Sequence, residues 1–317
     1  MADPDAGIVP VLRLDRFVCE IAFRTSGRVS RRWGQTLRGG FGLALRRLSC
    51  SRRRETCGGC ALFTVCPYSY LFETPVPPAS EVMRLYPHAP HPLIIESPDH
   101  APGVPEPGTK IRFSFILIGK ALEYLPYVAL AFQDLGAAGL GSDKVRYDLL
   151  GIFGENGQER WMPGGKAAAA DGTALGLSPG QSRHCRFSLR LVTPLRIQTA
   201  GRINRAPDLP DIAEALARRI FLLRYFYGDG YTEILAPAYR PAAAGAVPLE
   251  RKTAWNEHRR HSTRQQRDIP VGGVTGWLRW EGDFGVLEPL FRLGEYVHVG
   301  KNALFGLGRI LASDDSL

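Results

Sequence analysis

The order of the strands and helices predicted along the chain limits its fold more than any other feature, because the same order occurs twice. Alternating apolar positions and β-branched or aromatic residues indicate strands, whereas apolar residues at spacings of three or four indicate helices. Ser30 is the expected N-cap of the first helix. In the first half these patterns predict strands at Val11–Phe23, Lys110–Ile118 and Lys144–Phe153 and helices at Arg31–Leu48 and Ala121–Leu135.

The second half repeats this pattern from near Arg183 onwards. Strands are predicted at Cys185–Val192, at Gly272–Trp280 and at the end of the chain, and helices at Pro210–Tyr227 and Leu287–Leu293. Two runs of strand, helix, strand, helix and strand predict an α+β fold of two tandem ferredoxin-like units. We place the domains at residues 1–180 and 181–317, with the small-residue segment Gly164–Gly180 as a hairpin tip or linker before the boundary.

Two features of the first half interrupt the regular pattern. The segment Thr74–Gly108 is rich in proline and is expected to be an ordered but irregular connection. Gly39, Gly40 and Gly42 lie inside the first predicted helix, where each glycine costs up to about 1 kcal/mol relative to alanine. We therefore expect these glycines to mark the close approach of another backbone or of RNA.

Four of the six cysteines lie close together in the sequence, as Cys50, Cys57, Cys60 and Cys66. The pattern C-x6-C-x2-C-x5-C suits a metal-binding knuckle, because a C-x2-C turn brings two thiolates to one ion. Structural zinc is the first expectation, and a [4Fe–4S] cluster or a set of free thiols remains open. Four cysteine ligands leave no open coordination position, so the metal would be structural rather than catalytic.

The charge of the chain indicates an anionic partner. Its formal net charge is +9, and most of its 40 basic residues are arginines, whose guanidinium groups bind phosphate bidentately. Nucleic acid is favoured over a membrane, because no run approaches about 18 consecutive apolar residues. The first residues have neither a basic segment nor an apolar core, so a cytoplasmic protein without a signal peptide is expected.

A glycine-rich segment near the C-terminus, Val297–Ile310, is the strongest candidate for contact with phosphate. It contains Gly300, Gly306 and Gly308 beside Lys301 and Arg309. Glycine permits positive φ and a close approach of the backbone to a ligand, while the two cations supply charge beside exposed N–H groups. The spacing differs from that of nucleotide-binding glycine loops, so a glycine-rich hairpin remains the alternative.

Several motifs together resemble one known family. H-R-R-H-S-T-R-Q at His258–Gln265, G-G-V-T-G at Gly272–Gly276 and the glycine-rich segment are similar to the C-terminal domain of the CRISPR precursor-RNA-processing endoribonucleases of the RAMP superfamily. The upstream motifs T-P-L-R-I and R-R-I-F-L-L-R-Y-F-Y-G fit the same family. L-R-G-G-F-G with the cysteine cluster resembles the N-terminal half of a subset of it. The resemblance is most specific over residues 190–312.

The resemblance implies two ferredoxin-like domains, a cysteine-cluster metal knuckle in the first, and a cleft that holds CRISPR repeat RNA. It also implies cleavage without a catalytic metal, which agrees with the absence of a dense carboxylate group in the sequence. Attack by the 2′-OH would leave a 2′,3′-cyclic phosphate and a 5′-OH, and the product would stay bound with other CRISPR effector subunits. The alternative is a non-catalytic RNA-binding RAMP subunit of an effector complex.

The candidate catalytic residues are histidines, because an unperturbed pKa of about 6.5 suits a general base near neutral pH. Family members often place a histidine in or near the first helix, but this chain has none between Met1 and Phe72. The candidates are therefore His261, His258 and His298, with arginine- and tyrosine-assisted cleavage as the alternative. The expected RNA-binding residues are Arg31, Arg32, Arg38, Arg259, Arg260, Arg264, Arg267, Gly300, Lys301, Gly306, Gly308 and Arg309.

Overall fold

A computed structural model of the chain describes residues 9–30, 32–51, 57, 59–177, 181–228, 236–257, 259–262 and 267–316. The chain divides into two units. An N-terminal unit comprises residues 13–173, and a C-terminal unit comprises residues 174–317 together with residues 1–12. The division after residue 173 lies a few residues before the predicted boundary at residue 180. No helix in the described ranges is long and apolar enough to cross a membrane.

The N-terminal unit has the strand order of a ferredoxin-like fold. Its antiparallel strands lie in the order β2-β3-β1-β4, with β5 beside β4. The two helices follow the first and third strands of this four-stranded core, as that fold requires. The elements are β1 (Val9–Phe23), α1 (Trp33–Ser49), β2 (Leu93–Ile95), β3 (Lys110–Ile118), α2 (Leu125–Ala138), β4 (Tyr147–Gly154) and β5 (Glu159–Trp161). Strand β6 (Thr173–Leu177), which pairs with β1, begins at the division after residue 173.

Aromatic side chains hold the helices of the N-terminal unit on its sheet. The ring of Phe132 on α2 lies 4.7 Å from that of Phe41 on α1 and 5.0 Å from that of Phe113 on β3. All three side chains are buried. Such offset and edge-to-face ring pairs add about 0.5–1.5 kcal/mol each beyond the burial of their area.

The C-terminal unit repeats the same strand order. Its main sheet runs β10-β13-β7-β14 with every pair antiparallel, and two short ribbons, β8-β9 and β11-β12, lie outside it. The predicted pair of tandem ferredoxin-like units is therefore confirmed. The elements are β7 (His184–Leu195), β8 (Ile197–Thr199), β9 (Arg202–Asn204), α3 (Leu209–Tyr227), α4 (Ala236–Ala244), β10 (Val247–Asn256), β11 (Arg259–Ser262), β12 (Arg267–Pro270), β13 (Gly273–Asp283), α5 (Leu287–Val297) and β14 (Ile310–Ser316).

The central strand β7 shows why one face of the C-terminal sheet is packed and the other is open. Phe187, Leu189 and Leu191 are buried, and the Phe187 ring stacks 4.5 Å from Phe284. The intervening residues Arg186 and Arg190 are exposed. Because successive side chains of a strand point to opposite faces, the helices cover the apolar face and leave a polar face open.

Several local features differ from the predictions, among them strand β10, which was not predicted. The proline-rich segment contains the short strand β2, and the segment expected to be a hairpin tip or linker contains β6. Helix α4 was not predicted, because its alanines and prolines lack an apolar period. The N-cap of α1 is Arg32 rather than Ser30, whose hydroxyl instead accepts a hydrogen bond from the Arg32 N–H at 3.2 Å.

The glycines of α1 make room for side chains of the protein itself. A Cβ on Gly40 would lie 2.3 Å from Leu135, and one on Gly42 would lie 2.2 Å from the Phe72 ring. A Cβ on Gly39 would meet no atom within 4 Å. The expected close approach is therefore real at Gly40 and Gly42, but the approaching groups are side chains rather than another backbone.

Candidate nucleic-acid interface

The glycine-rich segment forms a closed loop between α5 and β14, which we call the glycine loop (residues 298–309). The Val299 N–H donates to the Gly308 carbonyl at 2.8 Å, and the Gly308 N–H donates to the Pro194 carbonyl at 3.1 Å. The Lys301 N–H donates to the Arg196 carbonyl at 2.9 Å. These bonds fix the loop against the end of β7, so its shape is set by the chain itself.

Positive φ at Gly300, Gly306 and Gly308 was predicted and is present, at 83°, 72° and 72°. The group that approaches Gly300 and Gly308, however, is the chain's own backbone. A Cβ on Gly308 would lie 1.9 Å from the Val299 carbonyl oxygen, and one on Gly300 would lie 2.4 Å from the Arg196 carbonyl oxygen. The N–H groups of Lys301, Gly306 and Gly308 already have carbonyl partners. This corrects the interpretation of the loop as a cradle of exposed N–H groups.

His298 lies at the base of the glycine loop and is fully buried. Its backbone has φ 58°, and its Nδ1 lies 3.1 Å from the Leu307 carbonyl oxygen, so that nitrogen carries a proton. Arg219 of α3 fixes the preceding residue, because its Nε donates to the Val297 carbonyl at 2.6 Å. Burial lowers the pKa of Arg219 to about 10. This position favours a structural role for His298 over the predicted role of a base.

Trp255 and three cations near it form the strongest candidate for contact with RNA in this unit. We call Arg196, Arg205, Trp255 and Lys301 the Trp255 cluster. The guanidinium carbon of Arg205 lies 4.7 Å from the centroid of the Trp255 ring, and that of Arg196 lies 5.9 Å away. Partial burial, and then the charge of Arg196, lower the pKa of Lys301. The cluster thus joins the glycine loop to β10.

The Trp255 cluster has the chemistry of a site for single-stranded nucleic acid. Guanidinium groups bind phosphate through paired hydrogen bonds, and an indole offers a face on which a base stacks. Lys301 was expected to bind RNA, whereas Trp255, Arg196 and Arg205 were not among the expected RNA-binding residues. The available signal was an aromatic residue inside the basic run of residues 251–267.

The described residues of the basic run 251–267 are divided between β10 and the β11-β12 ribbon, which connects β10 to β13. Arg259 pairs with Pro270, Arg260 with Ile269, and His261 with Asp268 along its backbone. Arg267 begins β12, opposite Ser262. His258 and Arg264 lie outside the described residues, so their predicted roles remain predictions, as do those of the ribbon residues.

The arginines predicted on the first helix have different surroundings. The guanidinium carbon of Arg38 lies 3.8 Å from the centroid of the Phe72 ring, so this side chain packs on the N-terminal unit. Arg32 is exposed at the start of α1, and its carbonyl accepts hydrogen bonds from Gln35 and Thr36. Arg31 lies outside the described residues. Arg309 is anchored through its backbone, because its N–H donates to the Thr193 hydroxyl at 2.9 Å.

The cysteine cluster follows α1, and its residues lie near one another without forming a ligand set. Cys50 caps the end of α1, and the Cys60 N–H donates to the Cys57 carbonyl at 3.2 Å. Burial and the charge of Glu73 raise the pKa of Cys57, and the neighbouring Cys66 and Cys50 act in the same direction. Across the described residues, no three potential ligands are placed to hold an ion. The metal site therefore remains a prediction.

Two family models match the chain, one in each half. Residues 12–171 match AF_1859_N, described as an N-terminal domain. Residues 189–310, which include the glycine loop and the Trp255 cluster, match the CRISPR-associated endoribonuclease Cas6. The C-terminal half of the chain therefore carries a domain of the Cas6 family.

Several other proteins resemble this chain over most of its length. An uncharacterized protein of Archaeoglobus fulgidus is 24% identical over 281 residues, covering 87% of this chain and 89% of the relative. The structure of a Cas6 product complex covers 95% of this chain and 99% of its own at 14% identity, with a TM-score of 0.56. Thermus thermophilus Cas6 covers the same shares at 16% identity, with a TM-score of 0.52. At these identities the structural likeness establishes the shared fold.

Proposed function

We propose that this protein is an endoribonuclease that cleaves CRISPR repeat RNA within precursor transcripts. The observation that carries the proposal is the Trp255 cluster, which gathers three cations and an indole beside the glycine loop of a Cas6-type domain. The chain's net charge of +9 supports an RNA partner. Such an enzyme acts in the cytoplasm, where transcripts are made, and passes its bound product to other CRISPR effector subunits.

The proposed reaction needs no metal ion. A general base removes the proton of a 2′-OH, the 2′-oxygen attacks the adjacent phosphorus, and an acid protonates the departing 5′-oxygen. The bond from phosphorus to the 5′-oxygen breaks, which leaves a 2′,3′-cyclic phosphate and a 5′-OH. Cations near the phosphate stabilise the charge of the transition state, a role that suits Lys301 and Arg196.

The base is assigned to His261, with His258 as the second candidate. His298 is less suitable, because it is fully buried and its Nδ1 is turned to the Leu307 carbonyl. A base must come within hydrogen-bond reach of the proton that it removes. Strand β10 carries Trp255, and the β11-β12 ribbon follows it directly in the sequence. His261 lies on this ribbon and is therefore close in sequence to Trp255.

Incubation of the purified protein with its own repeat RNA in EDTA tests the proposal. We expect a single cut in each repeat, with a cyclic phosphate on the upstream product and a 5′-OH on the downstream product. Tight binding with intact RNA would instead identify a non-catalytic RNA-binding subunit of an effector complex. Cleavage that requires added Mg²⁺ would contradict the metal-independent mechanism and leave the nuclease activity in place.

We also propose that Cys50, Cys57, Cys60 and Cys66 hold one structural metal ion, with zinc as the first candidate and a [4Fe–4S] cluster as the second. The support is the donor set and its placement. Cys50 ends α1, the Cys57–Cys60 turn is closed by a backbone hydrogen bond, and charges on Cys50 and Cys66 affect Cys57. A metal bound here would tie the segment after α1 to the N-terminal unit.

Replacing Cys60 with serine is expected to lower the metal content from about one ion per chain to near zero, because a tetrahedral thiolate site loses one of its four ligands. Elemental analysis of anaerobically purified protein measures this change. An absorbance band at about 400 nm distinguishes an iron–sulfur cluster from zinc. Cys185→Ala is the control, since Cys185 is buried in the C-terminal unit. Wild-type protein free of metal, or equal metal in both variants, would contradict the proposal.

A further inference from the structure

The open face of the C-terminal sheet carries an aromatic side chain between basic ones, which we call the sheet-face patch: Arg190, Lys252, Trp277 and Arg279. The strand register aligns Lys252 of β10, Trp277 of β13 and Arg190 of β7 in one row across the sheet. Leu278 and Trp280 alternate with these residues along β13 and are buried against the helices. The patch therefore lies on the face that the helices leave open.

Two cations lie beside the Trp277 ring and hold it in an orientation that suits stacking of a nucleic-acid base. The Lys252 Nζ lies 5.3 Å from the ring centroid, and the Arg279 guanidinium carbon lies 4.9 Å from it. Arg279 is oriented by the Ser188 hydroxyl, at 3.2 Å from its Nε. Cations at these distances hold the indole in one orientation, which lowers the entropy lost when a base stacks on it.

The charges of the patch favour an anionic partner. Lys252 forms an ion pair with Glu250 at 2.5 Å, and Arg186 forms one with Glu281 at 3.1 Å. Within the part of the chain that the structure describes, Arg190 and Arg279 have no carboxylate partner. Two uncompensated guanidinium groups beside an indole are complementary to a phosphate backbone with a stacked base.

The shape of the surface agrees with such a partner. A groove of about 470 Å³ opens on this face, and its lining residues include Trp277, Arg279, Arg190, Ser188 and Ser313. Gly276, at φ 122°, bends β13 where its register with β7 shifts, and a Cβ there would lie 2.1 Å from the Lys252 carbonyl oxygen. The bend lies directly before Trp277 in the sequence.

We propose that the sheet-face patch is a second RNA site, in which a base of single-stranded RNA stacks on Trp277 while Arg190 and Arg279 bind the flanking phosphates. The inference rests on the proposed function and extends it, because the patch lies on the sheet face rather than in the glycine loop. It adds affinity for the repeat without a part in the chemical step.

Three substitutions separate the contribution of stacking to RNA affinity from that of charge. Trp277→Ala is expected to weaken binding of single-stranded repeat RNA by roughly 5- to 150-fold, with no change in the salt dependence. Trp277→Phe keeps a stacking ring and retains most of the affinity. Arg190→Ala lowers the slope of log affinity against log salt by about 0.7, the value for one phosphate contact to a single strand. Fluorescence anisotropy of the full-length protein over a salt series measures all of these values.

Tyr127→Ala is the matched control, because Tyr127 is an aromatic residue of α2 that is 40% exposed and belongs to the N-terminal unit. Equal RNA affinity of wild type and a folded Trp277→Ala variant would overturn the inference and leave the proposed function intact. Wild-type protein that binds the repeat without cutting it would overturn the proposed nuclease while Trp277→Ala still tests the patch. Wild-type protein without affinity for RNA would overturn both.

Discussion

Gly308→Ala is expected to destabilise the C-terminal unit by about 2–5 kcal/mol, which is a large fraction of the roughly 5–15 kcal/mol that stabilises an ordinary domain. The added Cβ would lie 1.9 Å from the Val299 carbonyl oxygen. Relief of that overlap costs about 1–3 kcal/mol, and the left-handed backbone, at φ 72°, costs about 1–2 kcal/mol more for alanine. The shift also weakens the hydrogen bonds that Gly308 makes with Val299 and Pro194. Denaturant unfolding measures the change.

Gly201→Ala separates the two contributions to that loss. Gly201 has a similar φ of 78° in the turn between β8 and β9, but a Cβ there would meet no atom within 4 Å. Its replacement is expected to cost only the backbone strain, about 1–2 kcal/mol. Equal losses at the two positions would mean that the glycine loop yields to the added group, and would contradict the close packing assigned to it.

His261→Ala is expected to slow single-turnover cleavage of repeat RNA by about 10²- to 10⁴-fold at saturating enzyme, the usual effect of removing a general base. RNA affinity should change by far less, because the substitution leaves the Trp255 cluster intact. The wild-type rate should fall as the pH drops below about 6.5, where a histidine base is protonated, and the variant should lack that dependence. Rapid-quench measurements across pH test both statements.

His184→Ala serves as the control, because His184 is an exposed histidine at the start of β7 in the same unit. A fast His261→Ala variant beside a slow His258→Ala variant would move the base to His258. Normal cleavage by the His258, His261 and His298 variants alike would exclude a histidine mechanism. The arginine- and tyrosine-assisted route would then be the remaining explanation.

The strands and helices were readable from the sequence wherever one face of an element is buried. The bounds of β3 were predicted without error, because its apolar side chains alternate with polar ones and then continue into a buried run. The three residues of β2 gave no such pattern, since that strand is defined by its pairing with β3. Local sequence patterns therefore predict which side chains are buried. The pairing of a short edge strand such as β2 depends instead on a segment distant in the sequence.

The candidate site could be predicted only in part from the sequence, because many of its contacts join residues that are distant in the chain. Positive φ at Gly300 and Gly308 follows from the residue type, but the sequence does not reveal that the nearby groups are the carbonyls of Arg196 and Val299. Trp255 was missed because its cation partners, Arg196 and Arg205, lie about fifty residues earlier in the chain. Contacts between residues so far apart in sequence leave no local periodicity.

The position of β7 at the centre of the C-terminal sheet has a consequence for biosynthesis. It is the first strand of the unit's main sheet to emerge from the ribosome, yet its two neighbours, β13 and β14, are translated last. Pairing across so large a sequence separation is slow, because loop closure must precede any gain from contacts. The nascent chain thus exposes the apolar face of an unpaired β7 during elongation. In this interval the protein is most accessible to chaperones and most prone to misassembly.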